Sequence, residues 1–145
     1  MIVTAAFSDS PASAQAGQAQ STLSDADKEA GEAEALMFVE RLDSGDLGEL
    51  YDEELGPVFK ALMAKPNFIQ QGSFQRLQSG GPAVARELVG SQPFTQTPTG
   101  QTGNFLYVRY RTRHPNGLVF QDIYVEKLDT GWKVVGVWTL PAPQQ

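Results

Sequence analysis

The sequence of 145 residues contains no cysteine and a single histidine, His114. Without cysteine the chain cannot form a disulfide scaffold, a thiol nucleophile, or a cysteine-ligated zinc or iron–sulfur centre. A single histidine likewise excludes a multi-histidine metal site, and we expect neither a metal nor another cofactor. No apolar run approaches the roughly 20 residues that a membrane-spanning helix needs, so we expect no membrane span.

Basic side chains are scarce in the first part of the chain. Residues 1–56 carry thirteen acidic and two basic side chains, a formal charge of −11, whereas residues 57–145 carry four and nine, a formal charge of +5. The net charge of −6 argues against nucleic acid as a partner, because contacts to phosphate supply most of that affinity. The hydrophobic fraction of 41% and the aromatic fraction of 10% are typical of one folded domain.

Residues 1–23 differ in composition from the rest of the chain. Met1–Phe7 is a short apolar run, and residues 8–21 are mostly Ala, Ser, Gln and Gly. Ala12-Ser13-Ala14 and Ala14-Gln15-Ala16 have the small-x-small form that signal peptidase accepts. Two interpretations stay open: the end of a signal peptide whose start lies upstream, and a disordered leader. The first predicts a periplasmic or secreted protein.

Helical patterns begin directly after this leader. Ser24 followed by Asp27 forms a capping-box pair, which is a signal for the start of a helix. Gly45 is a signal for its end. The buried stripe of this helix is predicted from four apolar side chains at the i, i+3, i+4, i+7 spacing, namely Ala35, Phe38, Val39 and Leu42.

Further helical patterns follow as far as residue 79. Asp46 is a candidate N-cap for a second helix, and Gly56-Pro57 breaks that helix. We expect one or two more helical turns that Lys65-Pro66 ends, and then a weaker helical stretch over Phe68–Leu77. Gly80-Gly81-Pro82 ends the helical half of the chain.

From residue 85 onward, polar and apolar residues alternate as in half-buried strands. Asn116-Gly117 and Asp129-Thr130 are the hairpin turns that we expect between the last three strands. The pattern predicts one α+β domain over residues 24–141, with residues 142–145 as a tail. Its N-terminal helices pack on one face of a four-stranded antiparallel meander. The candidate strands are Ala85–Thr95, Asn104–Arg113, Leu118–Leu128 and Trp132–Leu140.

Turn positions predict which residues face each other across the sheet. A turn at Asn116-Gly117 places Arg111 opposite Asp122, and a turn at Asp129-Thr130 places Glu126 opposite Lys133, so opposite charges meet in both hairpins. The helix-facing side is then predicted to carry Leu106, Val108, Tyr110, Ile123, Val125, Trp132, Val134, Gly136 and Trp138. The opposite side is predicted to carry Phe105, Tyr107, Arg109, Arg111, Arg113, Phe120, Asp122, Tyr124, Glu126, Lys133, Val135 and Val137.

Four segments in this order resemble an uncharacterised bacterial family, domain of unknown function 4019. They are Leu42–Asp46, Arg86–Val89, Phe105–Thr112 and Trp132–Trp138, and the resemblance covers Ala33–Leu140. It implies a small, commonly exported protein whose curved sheet cradles a helix, as in the cystatin or nuclear-transport-factor-2 folds. It implies no catalytic residues.

The aromatic and charged face of the sheet is the first candidate site. Arginine and aromatic side chains are enriched at interfaces, which favours a surface that binds an anion or a protein partner, for example in a homodimer. We expect Phe105, Phe120, Val135 and Val137 to be exposed on this face, which favours the same interpretation. The alternative is a solvated face whose cross-strand ion pairs contribute less than about 1 kcal/mol each. The side chains assigned to this surface are Tyr107, Arg109, Arg111, Asp122 and Tyr124.

The helix-facing side of the sheet is the second candidate site. Tyr110, Gln121, Trp132 and Trp138 are candidates for the lining of a pocket between helices and sheet, with an ordinary core as the alternative. His114 adjoins the predicted hairpin tip, and we interpret it as a turn residue, because such a tip offers neither a cleft nor an orienting partner.

Two hypotheses of different class follow. The first is an exported module that binds a protein or a small ligand without catalysis. The second is a small enzyme of the nuclear-transport-factor-2-like kind that uses acid/base chemistry in a pocket between helices and sheet. That enzyme would need a carboxylate or a tyrosine in the pocket, whereas Asp122 and Glu126 are predicted on the other face.

Overall fold

The structure of the protein, a computed structural model, describes residues 23–97 and 100–143. The proposed leader therefore lies almost wholly outside the described residues, as do the last two residues of the proposed tail. In the described ranges, no helix is both long and apolar enough to cross a membrane. These ranges form the elements α1 Asp25–Ser44, α2 Leu47–Glu54, α3 Pro57–Leu62, α4 Lys65–Ser79, β1 Ala85–Gln96, β2 Thr102–His114, β3 Gly117–Leu128 and β4 Gly131–Pro141.

Local capping sets the ends of the first two helices. The backbone N–H of Asp27 donates to Ser24 Oγ at 3.0 Å, and the backbone N–H of Ser24 donates to Asp27 Oδ2 at 3.0 Å. This confirms the predicted capping box. Helix α1 ends at Gly45, and Asp46 Oδ1 accepts from the backbone N–H of Glu49 at 2.9 Å at the start of α2. Both of these boundaries are also confirmed.

Proline sets two later helix starts. Helix α3 begins at Pro57, which confirms the predicted break. The prediction that Lys65-Pro66 ends the third helix is wrong, because these residues form the first turn of α4. Proline is tolerated there because the N–H groups of a first turn have no intrahelical acceptor. Helix α4 ends at Gly80, whose φ of 83° lies in the left-handed region that glycine favours.

The four strands form an open antiparallel sheet in the order β1-β2-β3-β4, with the helices packed against it. This confirms the predicted α+β meander. The backbone N–H of Ala142 bonds to the carbonyl of Leu118 at 3.3 Å, and the Ala142 side chain is buried. Ala142, which follows β4, therefore also packs against the sheet.

The β2–β3 hairpin differs from the predicted register. His114 pairs with Gly117, so the turn is Pro115–Asn116, and Asp122 lies opposite Arg109 rather than Arg111. The reason is local, because proline suits the first central position of a type I turn and glycine its last position. Moving the turn by one residue shifts every partner by two positions, so the side chains stay on their predicted faces.

The β3–β4 hairpin has the predicted register only as far as a bulge. The pairs Glu126–Lys133 and Val125–Val134 are confirmed, but Tyr124 then pairs with Gly136. The extra residue in β4, Val135, exchanges the two faces for the rest of the strand. Three residues of β4 after the bulge were therefore predicted on the wrong face of the sheet, namely Gly136, Val137 and Trp138.

The main core lies between α1 and the sheet. Gly31 permits the closest approach, because a Cβ added there would lie 2.7 Å from Leu106 Cδ2 and 3.2 Å from the Trp132 ring. A side chain at this position would force the Leu106 or Trp132 side chain, or α1 itself, to shift. This core includes Ala35, Phe38, Val39, Leu50, Phe68, Leu106, Val108, Ile123, Val125 and Val134.

A second apolar cluster lies on the opposite face of the sheet. Phe105 is 1% exposed and Val135 is 9% exposed, so the expectation that both are exposed is wrong. They pack with Tyr124 and, at the β4 edge, with Val58 from α3 and with Trp138. Trp138 takes part because the bulge in β4 directs its side chain to this face.

Candidate ligand-binding cleft

A cleft of about 330 Å³ lies between the C-terminal half of α4 and the helix-facing side of the sheet. Helix α1 packs directly on β2, β3 and β4, whereas α4 packs mainly on α2. A gap therefore opens where α4 passes the sheet. Its apolar wall includes Leu42, Leu118, Val119 and Leu140, and its polar lining includes Asp43, Gln75, Arg76, Gln78, His114, Asn116, Gln121 and Thr139.

Gln121 on β3 is the most constrained polar group of the cleft. Three hydrogen bonds converge on its Oε1, from Thr112 Oγ1 at 2.7 Å and from Arg86 Nε and Nη2 at 3.2 and 3.1 Å. Arg86 in turn holds Asp43 Oδ2 at 2.7 Å. Because the donors decide which way the amide points, the NH₂ group of Gln121 is directed away from them. Gln121 is 3% exposed and lines the cleft.

Arg76 fixes α4 to the end of α1. Its Nε donates to the carbonyl of Leu42 at 2.9 Å, and its Nη2 donates to those of Gly45 and Arg41 at 2.6 and 3.2 Å. The last carbonyls of a helix have no intrahelical donor, and the negative end of the helix dipole favours a cation. One side chain thus donates to three carbonyls at the end of α1 and holds two walls of the cleft together.

The hairpin tip fixes the same C-terminal end of α4 to the sheet. Asn116 donates from Nδ2 to the carbonyl of Gln78 at 2.9 Å and from its backbone N–H to that of Ser79 at 3.0 Å. These bonds cap the C-terminus of α4 with groups from the β2–β3 turn. The C-terminal end of α4 is therefore tied both to α1 and to the sheet, so the walls of the cleft are held in place without a ligand.

His114 lies beside this contact, and the interpretation as a simple turn residue is wrong. It is the last residue of β2, it is 6% exposed, and its ring lines the cleft. Its Nδ1 lies 3.0 Å from the carbonyl oxygen of Gly81, which can only accept, so Nδ1 carries a proton. Nothing local in the sequence could reveal this orienting partner, because Gly81 precedes His114 by 33 positions.

Only one of the four predicted pocket residues lines this cleft. Gln121 does so, whereas Tyr110 lies in the core and donates its hydroxyl to the carbonyl of Glu32 on α1 at 3.2 Å. Burial, together with the nearby charge of Glu32, raises the pKa of Tyr110 to about 12. Trp132 packs against α1 at Gly31, and Trp138 lies on the opposite face, with its ring centroid 5.3 Å from that of Tyr124.

The candidate surface on the opposite face is paired within the chain. Arg109 donates two hydrogen bonds to Asp122, from Nε to Oδ1 at 2.7 Å and from Nη2 to Oδ2 at 2.8 Å. Asp122 is 0% exposed. The Arg109 guanidinium also lies 4.4 Å from the centre of the Phe120 ring. The rings of Tyr107 and Tyr124 pack together at 5.1 Å.

Arg111 is paired as well, with Nη1 3.5 Å from Glu87 Oε1 on β1. Both arginines thus form cross-strand ion pairs, as the alternative interpretation of this face expects, but Asp122 is buried rather than solvated. A fork already occupied by Asp122 is not available to an incoming anion.

A further cluster of charges joins α1, α2 and β4. Arg41 contacts Glu53 Oε1 from Nη2 at 2.9 Å and Glu54 Oε2 from Nη1 at 3.4 Å, and Lys133 Nζ donates to the carbonyl of Glu53 at 2.6 Å. Burial, and after it the neighbouring Glu54 carboxyl, raises the pKa of Glu34 to about 8, although the charges of Lys133 and Arg41 act to lower it. Sequence patterns within single helices contain no signal for this meeting.

No group of three or more potential metal-ligating side chains comes together within residues 23–97 and 100–143. A family model described as "Protein of unknown function (DUF4019)" matches residues 34–137 of the chain. No match was found among curated proteins or among solved structures.

Proposed function

We propose, from the premise that the chain belongs to the DUF4019 family, that it is a module that binds a small polar molecule in the cleft between α4 and the sheet. The family is one of unknown function. The observation that carries the proposal is Gln121, a buried amide that lines the cleft and whose oxygen accepts three hydrogen bonds. Because the oxygen is engaged, the NH₂ group is the part of this amide that can bind a ligand.

The form of the cleft supports binding. Its volume of about 330 Å³ lies at the lower end of the range of ligand pockets. Arg76 ties the C-terminal end of α4 to α1, and Asn116 ties it to the β2–β3 turn. Little conformational freedom is then lost when a ligand enters, and preformed sites bind more tightly for this reason. The opposite face of the sheet is the weaker candidate for a binding site, because its Arg109 and Asp122 already form an ion pair with each other.

Binding without catalysis fits the cleft better than acid/base chemistry. Asp43 is engaged by Arg86, and Asp122 lies on the opposite face of the sheet with Arg109. Tyr110 is protonated at neutral pH, and its hydroxyl donates a hydrogen bond to the carbonyl of Glu32 on α1. Among the cleft-lining groups of the described ranges, His114 is the one that supports an enzyme, since Gly81 fixes the tautomer of its ring.

The test of binding uses chemical-shift mapping of isotope-labelled protein with a panel of polar molecules of monosaccharide size. The expected result is a shift of the backbone amides of Gly72, Gln121 and Thr139 by at least one compound. Thr139→Phe should fill the cleft and abolish these shifts, whereas Thr102→Phe, at an exposed position outside the cleft, should retain them. The proposal fails if no compound moves these amides or if Thr139→Phe leaves the shifts unchanged.

We also propose that the protein is exported, on the small-x-small motifs of residues 12–16. Mass spectrometry of the protein expressed from its complete upstream reading frame provides the test. Cleavage within or just after these motifs is the expected result, and an uncleaved N-terminus contradicts export by a signal peptide.

A further inference from the structure

The charges around the cleft cancel. Asp43 and Arg86 neutralise each other at 2.7 Å, which leaves Arg76 as the remaining charged group among the described side chains that line the cleft. The C-terminal ends of α1 and α4 both border the cleft, and each contributes about half a negative charge. Together these two helix ends offset the single positive charge of Arg76, so the site as built favours an uncharged ligand over an anion or a cation.

The fixed amide groups present donors. Thr112 and Arg86 occupy the oxygen of Gln121, so its NH₂ group is the part that a ligand can meet. On the opposite wall, Gln75 Oε1 accepts from Thr139 Oγ1 at 3.0 Å, which leaves the NH₂ group of Gln75 as well. Two such donors call for oxygen acceptors on the ligand, such as hydroxyl, ether or carbonyl groups.

The cleft also has an apolar side. Leu42 from α1, and Leu118 and Leu140 from the sheet, line the wall beside these amides. A ligand that fits both walls has polar groups at its edge and a C–H surface on one side. Pyranose sugars have this distribution of groups.

We propose that the cleft selects an uncharged, oxygen-rich molecule of pyranose type, that Gln121 is the specificity-determining residue, and that Arg86 positions it. This inference rests on the proposed function, because it names the ligand class of the same cleft. Arg86 acts through Gln121, since its two bonds to Oε1 keep the amide from turning its oxygen toward the ligand.

Three probes of one skeleton test the choice of charge, namely N-acetylglucosamine (neutral), glucosamine (cationic) and glucuronate (anionic). Dissociation constants come from the shifts of the cleft amides at pH 7. The wild-type protein should bind N-acetylglucosamine more tightly than either charged sugar. If a charged sugar binds best at the cleft, the inference is overturned while the proposed function stands.

Gln121→Glu tests the residue, because it keeps the side-chain length and the contact to Arg86 but replaces the donor by a carboxylate oxygen. It should weaken binding of N-acetylglucosamine by about tenfold, the worth of one hydrogen bond, and make glucosamine the preferred sugar. Gln78→Glu is the matched control, since it adds the same charge at an exposed position of the cleft lining. An equal switch in the control would show that added charge alone decides, which overturns the role of Gln121.

Gln121→Met guards against a folding defect in the charged variant, because it removes the donor without adding a charge. It should lose the affinity for N-acetylglucosamine without gaining any for glucosamine. Arg86→Gln should lower the discrimination among the three sugars while the cleft remains able to bind. If the sugars leave the cleft amides unmoved while other polar compounds shift them, the pyranose inference fails alone, and if nothing shifts them, the proposed function fails too.

Discussion

Replacing Glu34 by Gln should stabilise the protein at neutral pH, against the usual rule that loss of a helix carboxylate is neutral or harmful. Burial raises the pKa of Glu34 from 4.5 to about 8, with the Glu54 carboxyl as the second cause. The folded protein therefore holds a proton on Glu34 at pH 7, whereas the unfolded chain releases it. Since the unfolded state binds fewer protons, the free energy of unfolding falls as pH rises from 4.5 towards 8.

The size of this effect follows from the pKa difference. Each pH unit in which only the unfolded chain is ionised lowers the free energy of unfolding by about 1.4 kcal/mol, so at pH 7 the upper limit is about 3.5 kcal/mol. Glu34 is only half-buried, so solvent screening reduces the expected cost to roughly 1–2 kcal/mol. A glutamine resembles the protonated carboxyl, because it can donate to Glu54 and cannot ionise.

Urea denaturation followed by tryptophan fluorescence at pH 5 and pH 7.5 measures the difference. Glu34→Gln and wild type should have similar free energies of unfolding at pH 5, and the variant should be more stable by about 1–2 kcal/mol at pH 7.5. Glu40→Gln, at an exposed position of the same helix, serves as the control. Its free energy of unfolding relative to wild type should not increase between pH 5 and pH 7.5. A variant that is less stable than wild type at pH 7.5 would refute the reasoning.

Three further predictions concern stability, each measured by the same denaturation assay. Arg76→Ala removes three bonds to the end of α1 and should cost about 2 kcal/mol, because bonds from a charged donor are strong. Asp122→Ala leaves the Arg109 guanidinium without its partner and should cost about 3 kcal/mol. Gly31→Ala places a Cβ 2.7 Å from Leu106 Cδ2 and should cost about 1–3 kcal/mol through overpacking.

Arg113→Ala is the control for these variants, because Arg113 is exposed on β2, and it should change stability by less than about 0.5 kcal/mol. A loss for Arg76→Ala no larger than that of Arg113→Ala would contradict the capping role of Arg76. An Asp122→Ala variant as stable as wild type would contradict the role of Asp122 as the partner of Arg109. An unchanged or raised free energy of unfolding for Gly31→Ala would contradict the overpacking argument.

Short-range rules were enough for most element boundaries. The Ser24 cap, the Gly45 stop and the Gly80 stop each depend on neighbours within a few residues, and all three are confirmed. Alternation of apolar and polar residues located the four strands within about two residues of their observed ends. Such signals work because backbone capping and side-chain periodicity act over one or two turns.

The errors in the sheet had a different origin. Asn116-Gly117 is a strong hairpin signal, but Pro115 competes for the turn and prevails, so Arg109 rather than Arg111 meets Asp122. The bulge at Val135 left no local signature, although it decided that Trp138 belongs to the outer cluster. A single inserted residue reverses the faces of a strand, so periodicity alone cannot follow the pattern past it.

The candidate cleft was decided by the tertiary structure. Residues from α1, β1, β2 and β3 meet in the Asp43–Arg86–Thr112–Gln121 network, and two helix ends are capped by Arg76 and by the hairpin tip. Composition and periodicity establish an acidic helical half, a mixed sheet half and their boundaries, because those properties are carried by adjacent residues. The orientations of the Gln121 amide and of the His114 ring depend on partners from other elements of the fold, and only packing brings these groups together.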